Sequence, residues 1–260
     1  MINFSLSAIR CRLAVLLLFG TNFALAQNLP NIQKNPVYLT GVKIDGQALE
    51  LNGKFQAYNK AIDAYYTFSN DEQNLYLTLK VKYGEIVSKV LLGGITLTLN
   101  HAKAKRDPNA LSVTFPFLEG EDRGKVANLY ATAQNDQKEK KDKGVTDKEL
   151  NTAFKSVAKT IKVEGLPKVE TTSISIYNEE NIRASSMFDG QLLYTYELAV
   201  PLKLLSLPNN GSDIFSYQIK INPPFNNSKL KAGGGPPPPP MMLSTTGMTD
   251  LWAEYKLVKK

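Results

Sequence analysis

The chain has 260 residues, of which 43% are hydrophobic and 21% charged, and its formal net charge is +7 at pH 7. This length and apolar content suit one large β domain or two small ones. A single cysteine, Cys11, excludes an internal disulfide and a cysteine metal site. Residues 138–162 hold eight lysines but no arginine and one aromatic residue, Phe154, whereas nucleic-acid-binding segments interleave arginine and aromatics with lysine. We therefore expect no nucleic-acid partner.

Residues 1–26 have the three parts of a cleavable secretory signal. Two arginines precede an apolar run at 13–19, and Ala24-Leu25-Ala26 supplies the small residues that a signal peptidase requires. The alternative is a membrane anchor, but a spanning helix needs about 20 apolar residues. We predict cleavage before Gln27, a periplasmic or extracellular location, and no transmembrane segment in the mature chain.

Apolar and polar residues alternate along most of the remaining chain, which predicts about ten half-buried strands. The alternation is clearest at 75–81, 95–99 and 215–221. Weaker versions occur at 41–45, 55–58, 62–69, 111–117, 169–177, 192–200 and 251–258. Turn pairs such as Asn52-Gly53 separate them. The pattern predicts a mainly β fold, an antiparallel sandwich of two sheets packed on their apolar faces.

One amphipathic helix is predicted within this series of strands. Thr146 and Glu149 have the spacing of a capping box. Apolar residues then recur at helical spacing at positions 150, 154, 157, 158 and 161, and Gly165 and Pro167 end the pattern. The polar segment 134–144 before it is predicted to be a mobile loop.

Residues 222–247 combine two prolines, three consecutive glycines and five consecutive prolines. Proline cannot donate to a sheet ladder, so we predict a long flexible loop between the last two strands. The alternative is a ligand for a proline-recognising groove. The expected export argues against it, because such grooves are mostly known from signalling inside cells.

Several short motifs follow one another in a characteristic order. They are Ile44-Asp45-Gly46, Ala64-Tyr65-Tyr66-Thr67-Phe68, Asn70-Asp71 with Asn74-Leu75-Tyr76-Leu77, Tyr194-Thr195-Tyr196-Glu197-Leu198-Ala199-Val200-Pro201, and Leu251-Trp252-Ala253-Glu254-Tyr255. This order resembles the carbohydrate-binding module family 9-like, or DOMON-like, β-sandwich. The resemblance covers most of residues 41–258. It implies a lead-in at 27–40 and one sandwich over 41–260, with insertions at 125–168, which holds the helix, and at 222–247.

The resemblance implies sugar binding, as in some members, or a haem or other small ligand, as in more distant relatives. Sugar-binding members hold a sugar between two tryptophans. Trp252 is the only tryptophan of this chain, so a clamp of two tryptophans is impossible here and only tyrosines could substitute.

Trp252, Tyr65 and Tyr76 are the candidate ligand-binding residues, because alternation places each on the polar face of its strand. Tyr177 falls on a polar face by the same argument. The alternative for each aromatic residue is a packing role, since aromatics suit strands.

The sequence offers few groups of residues that could bind a metal or form a catalytic site. Glu119, Glu121 and Asp122 form the one acidic cluster and are the calcium candidates, with a solvated turn as the alternative. The spacing does not match an EF-hand loop. We expect no other metal and no cofactor.

His101 is the only histidine. A haem held by His101 and one of the methionines 241, 242 and 248 would need an axial ligand from the flexible loop. The chain has no G-x-S-x-G motif that a Ser-His-Asp triad would use.

The sequence therefore predicts an exported, non-catalytic binding or accessory protein that recognises a glycan or other small ligand. The alternative is a structural or protein-interaction component of the cell envelope with no carbohydrate ligand.

Overall fold

The structure is a computed structural model that describes residues 29–100, 110–166, 172–205, 213–224 and 249–260. The predicted signal peptide, His101, the three methionines and most of the Gly/Pro-rich segment lie outside the described residues. No helix within the described ranges is long and apolar enough to cross a membrane.

The described residues form eleven strands and three α-helices. In chain order they are β1 (Ala57–Asn59), β2 (Ala64–Asn70), β3 (Asn74–Val81), α1 (Gly84–Gly93), β4 (Ile95–Asn100), β5 (Leu111–Phe115), α2 (Gly120–Lys138), α3 (Asp147–Val157), β6 (Thr160–Glu164), β7 (Ser173–Ser175), β8 (Arg183–Phe188), β9 (Tyr194–Pro201), β10 (Ile214–Ile221) and β11 (Asp250–Lys256).

The strands build two antiparallel sheets, which confirms the predicted fold class. A five-stranded sheet has the order β1-β2-β3-β9-β8, and a six-stranded sheet has the order β11-β10-β4-β5-β6-β7. Their apolar faces share one core. Phe68 of the first sheet and Tyr217 of the second lie 4.3 Å apart between ring centroids, and the hydroxyls of Tyr66 and Tyr217 are 3.3 Å apart.

Strands β6 and β8 were not predicted from the sequence, and the strand predicted at 41–45 does not form. Strand β6 contains Ile161, which the sequence assigned to the helix, because positions 157, 158 and 161 also fit a helical stripe. Strand β8 reads RASSMF and has no clear apolar alternation. Residues 41–45 form no ladder and instead place backbone amides over the five-stranded sheet.

The described residues form three α-helices where the sequence predicted one. The capping box of α3 is confirmed, since Thr146 Oγ1 accepts the amide of Glu149 at 3.2 Å and Glu149 Oε2 accepts the amide of Thr146 at 2.9 Å. The prediction of a mobile loop at 134–144 was wrong for its first half, because α2 extends to Lys138. Helix α2 is polar apart from a narrow stripe that includes Tyr130 and Ala133, and this stripe was too weak to identify from the sequence.

Residues 39–56 form a segment that lies over the outer face of the five-stranded sheet, and we call it the cover segment. Its apolar residues Ala48, Leu51 and Phe55 make a small second cluster against Tyr65. The amide of Gln56 donates to Thr67 Oγ1 at 3.1 Å. As a result, the outer face of this sheet is largely buried, whereas that of the six-stranded sheet carries the candidate site.

Candidate functional site

A row of polar side chains crosses the outer face of the six-stranded sheet. Strand register aligns the residues of this row on five neighbouring strands: Trp252, Gln218, Thr98, Ser112 and Glu164. A second row beside it holds Asp250, Lys220, Thr96, Thr114 and Lys162. We call these two rows the polar face. Neighbouring strands lie about 4.8 Å apart, so each row spans about 19 Å.

Hydrogen bonds fix several of these side chains across the strands. The hydroxyls of Thr98 and Ser112 are 3.0 Å apart, and those of Thr96 and Thr114 are 2.6 Å apart. Asn222 Nδ2 also donates to Thr96 Oγ1 at 2.8 Å. The polar groups are thus held in place before any ligand arrives, which lowers the entropy that binding must overcome.

Charged and amide groups complete the polar face at its two ends. Gln218 Nε2 donates to Asp250 Oδ2 at 2.5 Å beside the indole of Trp252. Lys162 Nζ pairs with Glu164 at 2.7 Å at the far end. The two acidic residues Asp250 and Glu164 lie four strands apart, or about 19 Å. This exceeds the separation of up to ~9.5 Å at which two carboxylates hydrolyse a glycosidic bond.

Trp252 lies at the start of this face and is half-buried. Its neighbours along β11, Leu251 and Tyr255, point into the shared core, so the indole faces outward. A partly exposed indole next to hydroxyl and amide groups offers an apolar surface with hydrogen-bonding partners at its edge.

Tyr65 and Tyr76 lie on the opposite side of the molecule from Trp252. Both project from the outer face of the five-stranded sheet, because their neighbours in β2 and β3 fill the core. The structure therefore does not bring the three predicted ligand-binding residues together.

Tyr76 is 3% exposed, and its hydroxyl stabilises the turn that contains Asp71. Its hydroxyl donates to Asp71 Oδ2 at 2.6 Å, and burial followed by this bond raises the pKa of Tyr76 to about 12. Tyr65 is half-buried against the ring of Tyr58, at 4.7 Å between centroids, and the ammonium of Lys82 lies 4.3 Å from its ring centre. Tyr76 is therefore buried, and Tyr65, although partly exposed like Trp252, has Tyr58 and Lys82 against its ring.

The acidic cluster opens helix α2 and is not a loop. Glu119 precedes the helix, and Glu121 and Asp122 lie in its first turn, each within ion-pair distance of Lys125 at 3.4 and 3.6 Å. Acidic residues at a helix start complement the helix dipole. The described part of the chain contains no group of three or more His, Cys, Asp or Glu side chains that could hold a metal.

Glu197 is a buried carboxylate that the sequence analysis did not single out. Its Oε2 accepts the amides of Asp45 and Gly46 at 3.1 and 2.6 Å, which ties the cover segment to β9. Its Oε1 is buried without a hydrogen-bond partner. Burial raises the pKa of Glu197 to about 7, since the charged form loses its hydration, although the two amides act in the opposite direction.

The residues of the polar face other than Trp252 were missed as a site, although alternation put Thr96, Thr98, Ser112, Thr114, Gln218 and Lys220 on polar strand faces. Their alignment depends on the order of five strands, and β6 was not recognised as a strand. Strand order and register are long-range properties that the pattern within one strand does not contain.

No protein-family model matches the chain, and no curated protein matches it. Among solved structures, it is similar to a carbohydrate-binding module family 9 (CBM9) from Caldicellulosiruptor kristjanssonii in complex with glucose. The identity is 10% and the TM-score 0.35, with 87% of this chain and 97% of that chain covered. That module belongs to the family that the sequence motifs resemble. The fold class stated above depends on the strand pairing and the shared core of this chain, not on that likeness.

Proposed function

We propose that this protein is an exported, non-catalytic binding protein that recognises a glycan on its polar face. The observation that carries the proposal is the half-exposed indole of Trp252 beside a row of fixed hydroxyl and amide groups. An indole covers the apolar C–H face of a pyranose, and the neighbouring groups can exchange hydrogen bonds with its hydroxyls.

The shape of the polar face favours an extended ligand. The row runs across strands for about 19 Å, so a short oligosaccharide can contact Trp252, Gln218 and the Thr98–Ser112 pair in succession. The ion pair of Lys162 and Glu164 closes the far end. A binding role is favoured over hydrolysis because the two carboxylates of this face are too far apart to share one glycosidic bond.

A role in protein interaction within the cell envelope is the second candidate. It would be favoured by a contiguous exposed apolar patch. The large apolar side chains that are exposed among the described residues come from separate parts of the chain, namely Ile32, Leu49, Tyr83 and Tyr177. Within the described residues, these four side chains give no argument for such a patch, so we retain the glycan as the proposed ligand.

A glycan-array screen of residues 27–260, with and without calcium, tests the proposal. Any sugar that binds is then titrated against the native protein and Trp252→Ala. Tyr177→Ala is the matched control, because Tyr177 is an aromatic residue that is 82% exposed beyond the opposite edge strand of the same sheet.

We expect saturable binding that Trp252→Ala abolishes and Tyr177→Ala preserves, with circular dichroism confirming that both variants fold. An array without any binding by the folded protein would refute glycan recognition for the sugars tested. Equal losses in both variants would place the ligand elsewhere. A signal that appears only with calcium would direct attention to Glu119, Glu121 and Asp122.

A further inference from the structure

A cleft of about 580 Å³ opens at one end of the five-stranded sheet, away from the polar face. It lies where β3 begins, β9 ends and β8 begins, because these antiparallel neighbours align Asn74 with Pro201 and Arg183 with Ala199. We call it the terminal cleft. The polar side chains that line it are Glu72, Gln73, Asn74, Asn181, Arg183 and Lys203. Its volume is within the range of small-molecule sites.

The walls of the terminal cleft are fixed by hydrogen bonds. Asp71 Oδ1 accepts the amides of Gln73 and Asn74 at 2.8 and 2.7 Å, which holds the turn before β3. The amide of Leu202 donates to the carbonyl of Gln73 at 2.7 Å and ties the end of β9 to that turn. On the other side, Asn178 Nδ2 donates to the carbonyl of Ile182 at 2.7 Å. The backbone around the cleft is therefore fixed in advance of a ligand.

Arg183 lines this cleft and forms no ion pair with any residue that the structure describes. The two nearest acidic residues along the β3 turn already have tyrosine partners. Asp71 Oδ2 accepts from the hydroxyl of Tyr76 at 2.6 Å, and Glu72 Oε1 accepts from the hydroxyl of Tyr38. Lys203 is likewise without an ion pair in the described ranges. The cleft thus holds two cations without an ion pair in the described ranges and one carboxylate, Glu72, so its lining carries a net positive charge.

The other polar side chains of the cleft indicate which groups the ligand carries besides its anionic group. The amides of Gln73, Asn74 and Asn181 can both donate and accept hydrogen bonds, which suits hydroxyl groups. Glu72 adds one negative charge, which disfavours a dianion such as phosphate and provides a further acceptor for hydroxyls. Arginine binds a planar carboxylate through two parallel hydrogen bonds. The complementary ligand is a carboxylate that also carries hydroxyls.

We propose that the terminal cleft binds a uronic acid, with the guanidinium of Arg183 on its carboxylate, Lys203 adding charge, and the side-chain amides on its hydroxyls. This site goes beyond the glycan site proposed above. It uses a different sheet, so one site can exist without the other.

Isothermal titration of residues 27–260 with glucuronate and with glucose, at low ionic strength, tests this proposal. We expect saturable binding of glucuronate and none of glucose at the same concentration. Arg183→Gln should abolish the binding, and Arg183→Lys should weaken it about tenfold, because lysine keeps the charge but loses the two-point contact. Lys148→Gln on α3 removes one exposed positive charge far from the cleft and should leave the affinity unchanged.

Trp252→Ala separates the two sites, since it should leave glucuronate binding intact even if it abolishes glycan binding. The proposal is overturned if the folded protein does not bind glucuronate, if glucose binds equally well, or if Lys148→Gln weakens binding as much as Arg183→Gln. It is also overturned if acetate or inorganic phosphate binds as tightly as glucuronate, because the cleft would then recognise charge alone.

Discussion

The buried carboxylate of Glu197 should make the stability of this protein fall as the pH rises through neutrality. Burial raises the pKa of Glu197 from its ordinary 4.5 to about 7 in the folded protein. The folded state therefore binds this proton more tightly than the unfolded state. The resulting stabilisation is complete below the unfolded pKa and is lost as the pH rises through 7.

The size of the effect follows from the two pKa values. One pKa unit corresponds to about 1.4 kcal/mol, so the full difference is about 3 kcal/mol, of which about 2.5 kcal/mol is lost between pH 5 and pH 8. Among the described residues, the other groups with shifted pKa values titrate outside this range. The pKa values of Asp71, Asp136 and Glu149 are lowered, so these groups change stability only at acidic pH. The shifted tyrosines have raised pKa values and titrate only at alkaline pH.

Urea unfolding at several pH values between 5 and 8 measures the effect, provided that the transition is two-state. Glu197→Gln should remove the pH dependence, since glutamine retains an oxygen for the two amides but does not titrate. The test compares the pH dependence of the two proteins and not their stability at one pH. The amide group of the introduced glutamine would occupy the position of Oε1, which has no hydrogen-bond partner, and this alone changes the stability of the variant. His101→Gln is the matched control, since an unperturbed histidine titrates at about 6.5.

A free energy of unfolding that stays constant or rises from pH 5 to pH 8 in the native protein would refute this reasoning. A slope that survives in Glu197→Gln but disappears in His101→Gln would assign the effect to the histidine instead.

Three further substitutions and one control, Gly53→Ala, test individual contacts by urea unfolding. Gly46→Ala should destabilise the fold by about 3 kcal/mol, because a Cβ there would lie 2.8 Å from the carbonyl carbon of Ser186 at a φ of +91°; Gly53→Ala, with a φ of +72° and open space, should cost only about 1 kcal/mol. Thr146→Ala removes the capping box of α3 and should cost about 1 kcal/mol, and an unchanged stability would show that the cap is dispensable. Tyr76→Phe should cost about 1 kcal/mol through the lost bond to Asp71 and leave glycan binding unchanged; weaker glycan binding at full stability would return Tyr76 to the list of contact residues.

The sequence predicted what depends on local periodicity. Strand β3, with Leu75, Leu77 and Leu79 inward, and the capping box of α3 both follow from neighbours within a few residues. Helix α1 was missed despite its buried apolar residues, since Ile86 to Leu91 directly follow a strand and are short enough to resemble another one. Segment boundaries at such junctions depend on tertiary packing.

The candidate site could be predicted only in part, for the same reason. Alternation correctly turned Trp252 away from the core, but it could not tell that Tyr65 and Tyr76 belong to the other sheet. The outer face of that sheet is covered by residues 39–56, a contact between segments more than a hundred residues apart in the case of Gly46 and Glu197. Nothing in the local pattern of either segment encodes this contact.

The motifs that carry the family resemblance act mainly in the fold, and this explains why they say little about the ligand. The Asp45-Gly46 amides bind Glu197, which joins the first motif to the fourth. Asp71 holds its own turn and the hydroxyl of Tyr76 within the third motif. By contrast, apart from Trp252, which belongs to the fifth motif, the polar face draws on Asp250 and on residues of β4, β5, β6 and β10 that lie outside these motifs. A chain can therefore keep the motifs and the sandwich while most of the polar face changes, so the glycan binding proposed for that face has to be measured and does not follow from the motifs.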